Sequence, residues 1–557
     1  EERAGQVPFT KVLTDLARAY KEEGPQIATG TARVLDQLKT LWHRDMRGAP
    51  DQISLDFGAI RIGQRFDMFF GGANGPTKFP SASLLEVLWR AYLRTNMPQF
   101  LQLTTVTLDN MLLGGMYDHV GGGFFRYSID DRWILPNFEK TLNDNAALVE
   151  IMTSLWQFNR NNLCKSRVTE TIEWMLRDMK VQDAFASGLD SDTDGEEGKY
   201  YVWSEAEVDA ALKGTFLQKF KQAYNIQRDG HLRGKNVPYR ISAVAPFPQS
   251  DADEALLAKQ RELLLTARNQ RTKPLRDDKV LADWNGLAIS ALAIAGAAFG
   301  RADWTTAAIK AFDFVVKTMG DGERLYHSWR DGKRGHAGFA DDYAQMTRAA
   351  LILFEKTSEK RFLDQARAWV RTLNTHFWDN DRGAYFFTPD DSDPLLIRTR
   401  MMFDQPSHSA NGRMLEILAR LFMITNEKEY SDRASQLIAA IAGEVQRAHI
   451  SMGAVLSGFE YAVATLQIAV IGPQSNHKTQ ELVNAINGRT LPNMCLTVVE
   501  PDAGFPAGHP LHGKTMENGQ PTAYISQRGA ISQPITNPVN LSQILQLPRP
   551  MPVARPQ

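Results

Sequence analysis

GGMYDHVGGGFFRYSIDDRWILPNFEKTLNDN, residues 114–145, sets a glycine triplet, several aromatic residues, two arginines and a carboxylate-rich end between two helical patterns. Gly121, Gly122 and Gly123 permit backbone conformations closed to residues with a Cβ. Phe124, Tyr127 and Trp133 are too large and amphipathic for an ordinary loop, while Glu139, Asp144 and Asn145 fall in the first turns of the following helix. Such a loop at the mouth of a helical scaffold reads as a ligand site. The plainer alternative is a glycine-rich hairpin that plugs the end of a helix bundle.

Outward from this stretch, apolar residues recur at helical spacing near 83–95, 98–113, 138–160, 166–180, 205–222, 252–269, 284–300, 303–319, 339–356, 359–376, 409–424 and 427–446. Paired in order, they make six hairpins. Between them recurs a glycine and aromatic signature, in GGFFRYSID, GKYYVWSEA, RLYHSWRDG and GAYFFTPDD, whose alternation reads as small β-hairpins. One helical hairpin cannot bury both its faces, and ring closure supplies the missing partner. The pattern predicts a mainly α fold, an (α/α)6 toroid over residues 81–450 with short β-hairpins at one rim. Residues 1–80 add a helical hairpin, with Val12, Leu13, Leu16 and Tyr20 on one face, and an aromatic glycine-rich loop. Residues 451–545 read as a small β-α-β appendage with no phosphate-binding glycine motif, and 546–557 as a proline-rich tail.

The chain has 557 residues, 43% hydrophobic and 23% charged, which is enough to bury a large core. Its net charge of -1 gives no electrostatic case for nucleic acid or an anionic membrane surface. We find no run of about 18 apolar residues, so no membrane insertion is expected. Cys164 and Cys495 stand far apart, in no redox or metal-ligand spacing. The start, EERAGQVPF, lacks Met and reads as truncated or processed, and the compartment stays open, with the cytoplasm slightly favoured.

The 114–145 stretch, with GLDSDTDGEEGKYYVW, GHLRGKNVPY, KVLADWNGLAISALA, GFADDYAQMTRAALILFE and PTAYISQ, resembles the thioredoxin-domain-containing family that includes spermatogenesis-associated protein 20. The resemblance spans nearly the whole chain. It implies a toroid of the six-hairpin glycosidase kind, related in architecture to N-acylglucosamine 2-epimerases, preceded in the family by a thioredoxin-like domain that this chain lacks. Against the family pattern, Phe125 and Asn137 stand where histidines are usual, and Ser526 and Ile531 replace paired cysteines. Those departures remove proton-transfer and redox groups.

Sugar chemistry in a toroid needs proton-transferring carboxylates or imidazoles and aromatic faces. We single out Glu139, His408, His336 and Asp342 as catalytic candidates, and Asp118, His119, Arg126, Tyr127, Trp133, Asp144, Asp283 and Trp284 as substrate-binding candidates. Helix-capping charges, buried ion pairs and structural histidines are the bland counterparts. Asp190, Asp192, Asp194, Glu196 and Glu197 do not form an EF-hand, because Tyr201 falls where the twelfth-position glutamate belongs. They read as an acidic rim or a calcium site of another kind. No cofactor and no metal enter the expected site. Two functions remain: a carbohydrate epimerase, isomerase or glycosidase-like enzyme with a small sugar ligand, or a non-catalytic binding or assembly subunit with a protein partner.

Overall fold

In the computed structural model the described residues are 7–42, 45–214, 216–241, 250–404 and 407–546. Helices α1 (Phe9–Glu22) and α2 (Gly24–Trp42) form an N-terminal hairpin, and α3 (Leu55–Gly63) follows. Two helical hairpins come next, α4 (Ala82–Thr95) with α5 (Pro98–Leu113) and α6 (Leu142–Asn159) with α7 (Asn162–Asp178). An insertion holds α8 (Glu205–Leu212), α9 (Leu217–Ala223) and α10 (Asp251–Arg268). The hairpins then resume as α11 (Ala282–Phe299) with α12 (Ala302–Met319), α13 (Ala340–Thr357) with α14 (Lys360–His376), and α15 (Ala410–Thr425) with α16 (Lys428–Val445), before α17 (Gly453–Ala464).

The inner ring runs α4, α6, α11, α13, α15, α17, each packed on the next, and α17 packs back on α4. This is a closed (α/α)6 toroid. Five inner helices end alike, in a left-handed residue, Asn96, Arg160, Gly300, Ser358 or Asn426, with φ between 57° and 67°. One further residue then leads into the outer helix. The left-handed cap ends the inner helix and reverses the chain in two residues, so five hairpins share one turn although the left-handed position is filled by Asn, Arg, Gly or Ser. The sixth pair is assembled from the two ends of the toroid, α17 inside and α3 outside.

This pairing differs from the one expected from sequence. The helices of 205–222 and 252–269 do not form a ring hairpin; α8 packs on α10 beside the toroid, around a separate core that includes Val208, Phe220, Leu257 and Leu264. Periodicity detects an apolar face and is silent about what covers it. The ring therefore reaches beyond 81–450 on both sides.

Close approach sets the inner residues. Helix α11, ADWNGLAISALAIAGAAF, is apolar nearly all round because neighbours cover it on every side. By length and composition it could cross a membrane, and 72% of it is buried inside the ring. Where α15 meets α17, a Cβ on Gly412 would sit 2.5 Å from the Ala454 carbonyl carbon, and one on Gly458 would sit 2.2 Å from the Gly412 oxygen. Only glycine admits that contact.

The C-terminal appendage has a mixed sheet of β1 (Leu466–Ile471), β2 (Met494–Val499), β3 (Thr522–Gln527) and β4 (Ala530–Ile531), in the order β2-β1-β3-β4. β1 and β2 are parallel, joined through α18 (His477–Asn487), as the β-α-β pattern predicts; β3 adds antiparallel to β1. Ser526 and Ile531 face each other across the β3–β4 hairpin. β2 and α18 pack on the inner helices and close one end of the ring. Of the aromatic signatures, RLYHSWRDG is a true hairpin, GAYFFTPDD keeps one bridge between Trp378 and Tyr385, and GKYYVW is a turn whose Trp203 bridges Asn236. The N-terminal α1–α2 hairpin buries no residue, and Phe9, Leu13, Leu16 and Tyr20 are exposed. Residues 547–557 of the expected proline-rich tail lie outside the described residues.

Candidate ligand site at the ring axis

The inner helices point their N-termini to one end of the ring, where a cavity of about 750 Å³ opens. Its wall is formed by the first turns of α4, α6 and α11 and by the chain leading into α15 and α17. Helix N-termini favour negative charge, and the carboxylates Asp144 and Asp404 line this mouth, with Arg126, Trp284 and His408. Farther down the axis a cavity of about 150 Å³ continues past His408, Ala82, Ala147 and Leu287, which line both spaces. Asn487, Arg489 and Pro492 of the appendage close its floor.

The deep part is held by buried ion pairs. Arg348 donates to Glu150 at 2.8 and 2.7 Å and to Glu416 at 3.1 Å. Glu416 also accepts from Arg413 at 3.0 Å and Arg420 at 3.1 Å, and Arg420 reaches Glu355. Burial works against the ionised Glu416, but Arg348, Arg420 and Arg413 overcome it and hold its carboxyl well below the usual range. Arg90 donates to Glu86 at 2.9 Å and Lys356 to Asn487 at 2.7 Å; burial brings Lys356 down to about 8. Pairing of this kind is what makes so many buried charges tolerable.

At the mouth the balance differs. Burial pushes Asp144 up to about 6, against a 2.7 Å bond that it accepts from the Thr141 hydroxyl and the pull of Arg126 at longer range. Asp404 is also raised by burial to about 6, although the Ser409 and Ala454 amides donate to it at 3.1 and 3.0 Å. Burial and the nearby Arg413 drive His408 down to about 3, so it is a neutral imidazole, 3.8 Å from Glu86.

The structure brings together at this mouth Arg126, Asp144, Trp284 and His408 from the sequence candidates. Glu139 pairs with Arg126 at 2.6 Å and lines an adjoining cavity of about 280 Å³, which Trp284 shares. Tyr127 stacks on Phe79, 4.9 Å away, and Phe79 lines the axial mouth.

Other candidates serve elsewhere. Asp118 is buried and takes Lys140 at 2.7 Å and Arg268 at 2.8 Å; burial opposes its charge, and these two cations hold it ionised. His119 is buried, donating from Nε2 to the Gly114 carbonyl at 2.9 Å and accepting from Arg167 at 3.2 Å, and burial holds it neutral. Trp133 is fully buried with φ of 66°, and its indole N–H donates to the Phe70 carbonyl at 2.8 Å, so its face cannot meet a ligand. His336 is exposed on the hairpin before α13, away from both cavities. Asp283 and Asp342 sit at the N-termini of α11 and α13, where Asp342 accepts the Phe339 amide at 2.7 Å and the Asp283 amide at 3.1 Å. Their third neighbour is His327, whose Nδ1 lies 3.0 Å from Asp342. The 114–145 loop thus both plugs and lines: Gly122 and Gly123 adopt φ of 81° and 83°, and a Cβ on Gly123 would strike the Trp174 ring at 2.7 Å. Phe125 packs against Phe138 and Tyr201 with the Lys140 ammonium 4.9 Å above its ring, and Asn137 donates to Glu197 at 2.8 Å. The acidic run at 190–197 is largely exposed, Asp194 pairs with Lys199, and among the described residues it forms no three-carboxylate cluster close enough to share a cation.

Sequence reading missed Asp404, His327 and the whole deep network. The available signal was charge spaced four apart inside apolar helices, Glu86 with Arg90 in LLEVLWRAYL and Glu416 with Arg420 in MLEILARLF. Such charges cannot face lipid-like neighbours without partners.

Human spermatogenesis-associated protein 20 is 29% identical over 599 aligned residues, covering 98% of this chain and 76% of that protein. The chain is a homologue of spermatogenesis-associated protein 20. The mouse protein is 28% identical over 87% of this chain and 68% of its own length, and an uncharacterised Caenorhabditis elegans protein is 23% identical over 96% of this chain. No protein-family model matches the chain. Among solved structures, D-mannose isomerase is similar at a TM-score of 0.44 with 9% identity, over 69% of this chain and 84% of that one. A family 76 mannosidase from Bacteroides thetaiotaomicron is similar at 0.39 with 10% identity, over 71% and 99%.

Proposed function

We propose that this homologue binds a small sugar at the axial mouth and transfers a proton on it, in an epimerisation or isomerisation. Asp144 is the proton-transferring group, Trp284 offers an aromatic face and Arg126 a hydroxyl-directed donor. The observation that carries this reading is Asp144: a carboxyl raised to about 6, at a helix N-terminus, lining a cavity of about 750 Å³. An acid or base works best when its pKa lies near the working pH. His408 and Glu139, the catalytic candidates nearest this mouth, fit supporting roles better, the first as a neutral hydrogen-bonding group and the second as the partner of Arg126.

The test is a thermal-shift screen of the chain against mono- and disaccharides, followed by incubation of each binding sugar in deuterated water. Bound ligand raises the melting temperature, and carbon-bound deuterium reports the proton transfer. Asp144→Asn should keep the shift and lose the exchange, and Trp284→Ala should weaken the shift. No shift with any sugar would refute the reading. A second reading, a non-catalytic assembly subunit, is favoured by one feature, the exposed apolar residues of α1 and α2. It predicts a stable complex through that face, and a monomer that exchanges deuterium into sugar would exclude it.

A further inference from the structure

Beside the axial mouth, three elements bring one potential ligand each to a single point. Asp283 comes from the first turn of α11, Asp342 from the first turn of α13, and His327 from the hairpin between α12 and α13. One ligating atom of each lies within 4.8 Å of the others. His327 Nδ1 is 3.0 and 3.1 Å from the two Asp342 oxygens, close to the spacing of neighbouring donors around one metal with bonds of about 2.1 Å.

The two carboxylates are not equivalent. Asp342 is engaged by the Phe339 and Asp283 amides. Asp283 is 7% exposed, and its Oδ1 has no hydrogen-bond partner. Buried carboxylate oxygens are costly to leave unpaired, and among the described residues no Lys or Arg forms an ion pair with Asp283 or Asp342. A neutral imidazole with two carboxylates balances a divalent charge. The His327 side chain is 26% exposed, which leaves a path by which a cation could enter and a face on which water could complete its shell.

We propose that Asp283, His327 and Asp342 form a site for a divalent transition-metal cation of the Zn²⁺ or Mn²⁺ class. A mixed nitrogen and oxygen donor set favours these ions over Mg²⁺ and Ca²⁺, which take oxygen. The second three-residue cluster, His376 with Asp390 and Asp391, is exposed in both carboxylates, and Asp391 is already paired with Arg324. The proposal is independent of the sugar reading, because it concerns binding of the metal alone.

The experiment strips the full chain with chelator, then titrates Zn²⁺ and Mn²⁺ by calorimetry while melting temperature is followed. We expect saturation near one equivalent, a metal-dependent rise in melting temperature, and affinity weakened at least about 100-fold by either Asp283→Asn or His327→Gln, beyond the usual effect of a supporting residue. His327→Gln alters a partly exposed rim position and keeps the test open should Asp283→Asn fold poorly; circular dichroism checks both. Absence of saturable binding to the stripped wild-type chain overturns the proposal. So does binding that both folded variants retain. A metal-independent gain in stability for Asp283→Asn, with no metal bound by the wild type, would assign the cluster to a shared proton and overturn it equally.

Discussion

Replacing Asp144 with Asn should make the protein more stable at pH 8 and leave it nearly unchanged at pH 4. The folded-state carboxyl titrates near 6 against an ordinary value of 3.8, because burial disfavours its charge. With the folded pKa above the unfolded one, the folded state holds the proton more tightly. Its contribution is fully present below about pH 4 and is lost as pH rises through about 6. At about 1.4 kcal/mol per pKa unit the full penalty is about 3 kcal/mol. Opening onto the cavity screens the charge and brings this to about 2 kcal/mol. Asn cannot ionise, and its carbonyl can still accept the Thr141 hydroxyl, which now donates at 2.7 Å. For a chain of this size the gain corresponds to a rise of about 2 °C in melting temperature at pH 8. The assay is paired thermal melts of wild type and Asp144→Asn from pH 4 to 8. Asp404 and Asp341, which burial raises to about 6 and about 7, titrate in both proteins and cancel in the difference. A difference that stays flat with pH, or a variant that loses ground as pH rises, would refute the argument that Asp144 is a desolvated carboxyl at the mouth.

Two further outcomes test the scaffold. Glu416→Gln strips the shared carboxylate from Arg348, Arg413 and Arg420 and should cost about 3–5 kcal/mol, read from the denaturant midpoint; a loss under about 1 kcal/mol would mean the axial charges are well solvated. Gly412→Ala forces a methyl to within 2.5 Å of the α17 backbone and should destabilise by about 1–3 kcal/mol, whereas an unchanged melting temperature would show that α15 and α17 part readily.

The residue order alone determined that α4, α6, α11, α13 and α15 are helices and that outer helices follow them, because periodicity of 3.6 residues is written locally. It also determined the β-α-β crossover, since a short apolar run, an amphipathic helix and a second apolar run read in order. It could place Arg126, Asp144 and Trp284 in one neighbourhood only because a glycine-rich loop and helix starts point to a rim. Tertiary structure decided the rest. Trp133 is a ligand-facing indole in sequence and a buried plug in space, because Phe70 and Gly72, some sixty residues earlier, form its slot. The helices at 205–222 and 252–269 carry the same periodicity as ring helices, yet α3 and α17, from opposite ends of the toroid, take the sixth place. Arg348 meets Glu150 across 198 residues and Glu416 across 68. Charge and apolarity are properties of single residues, but which charge is paired, desolvated or open to a ligand depends on what ring closure sets against it.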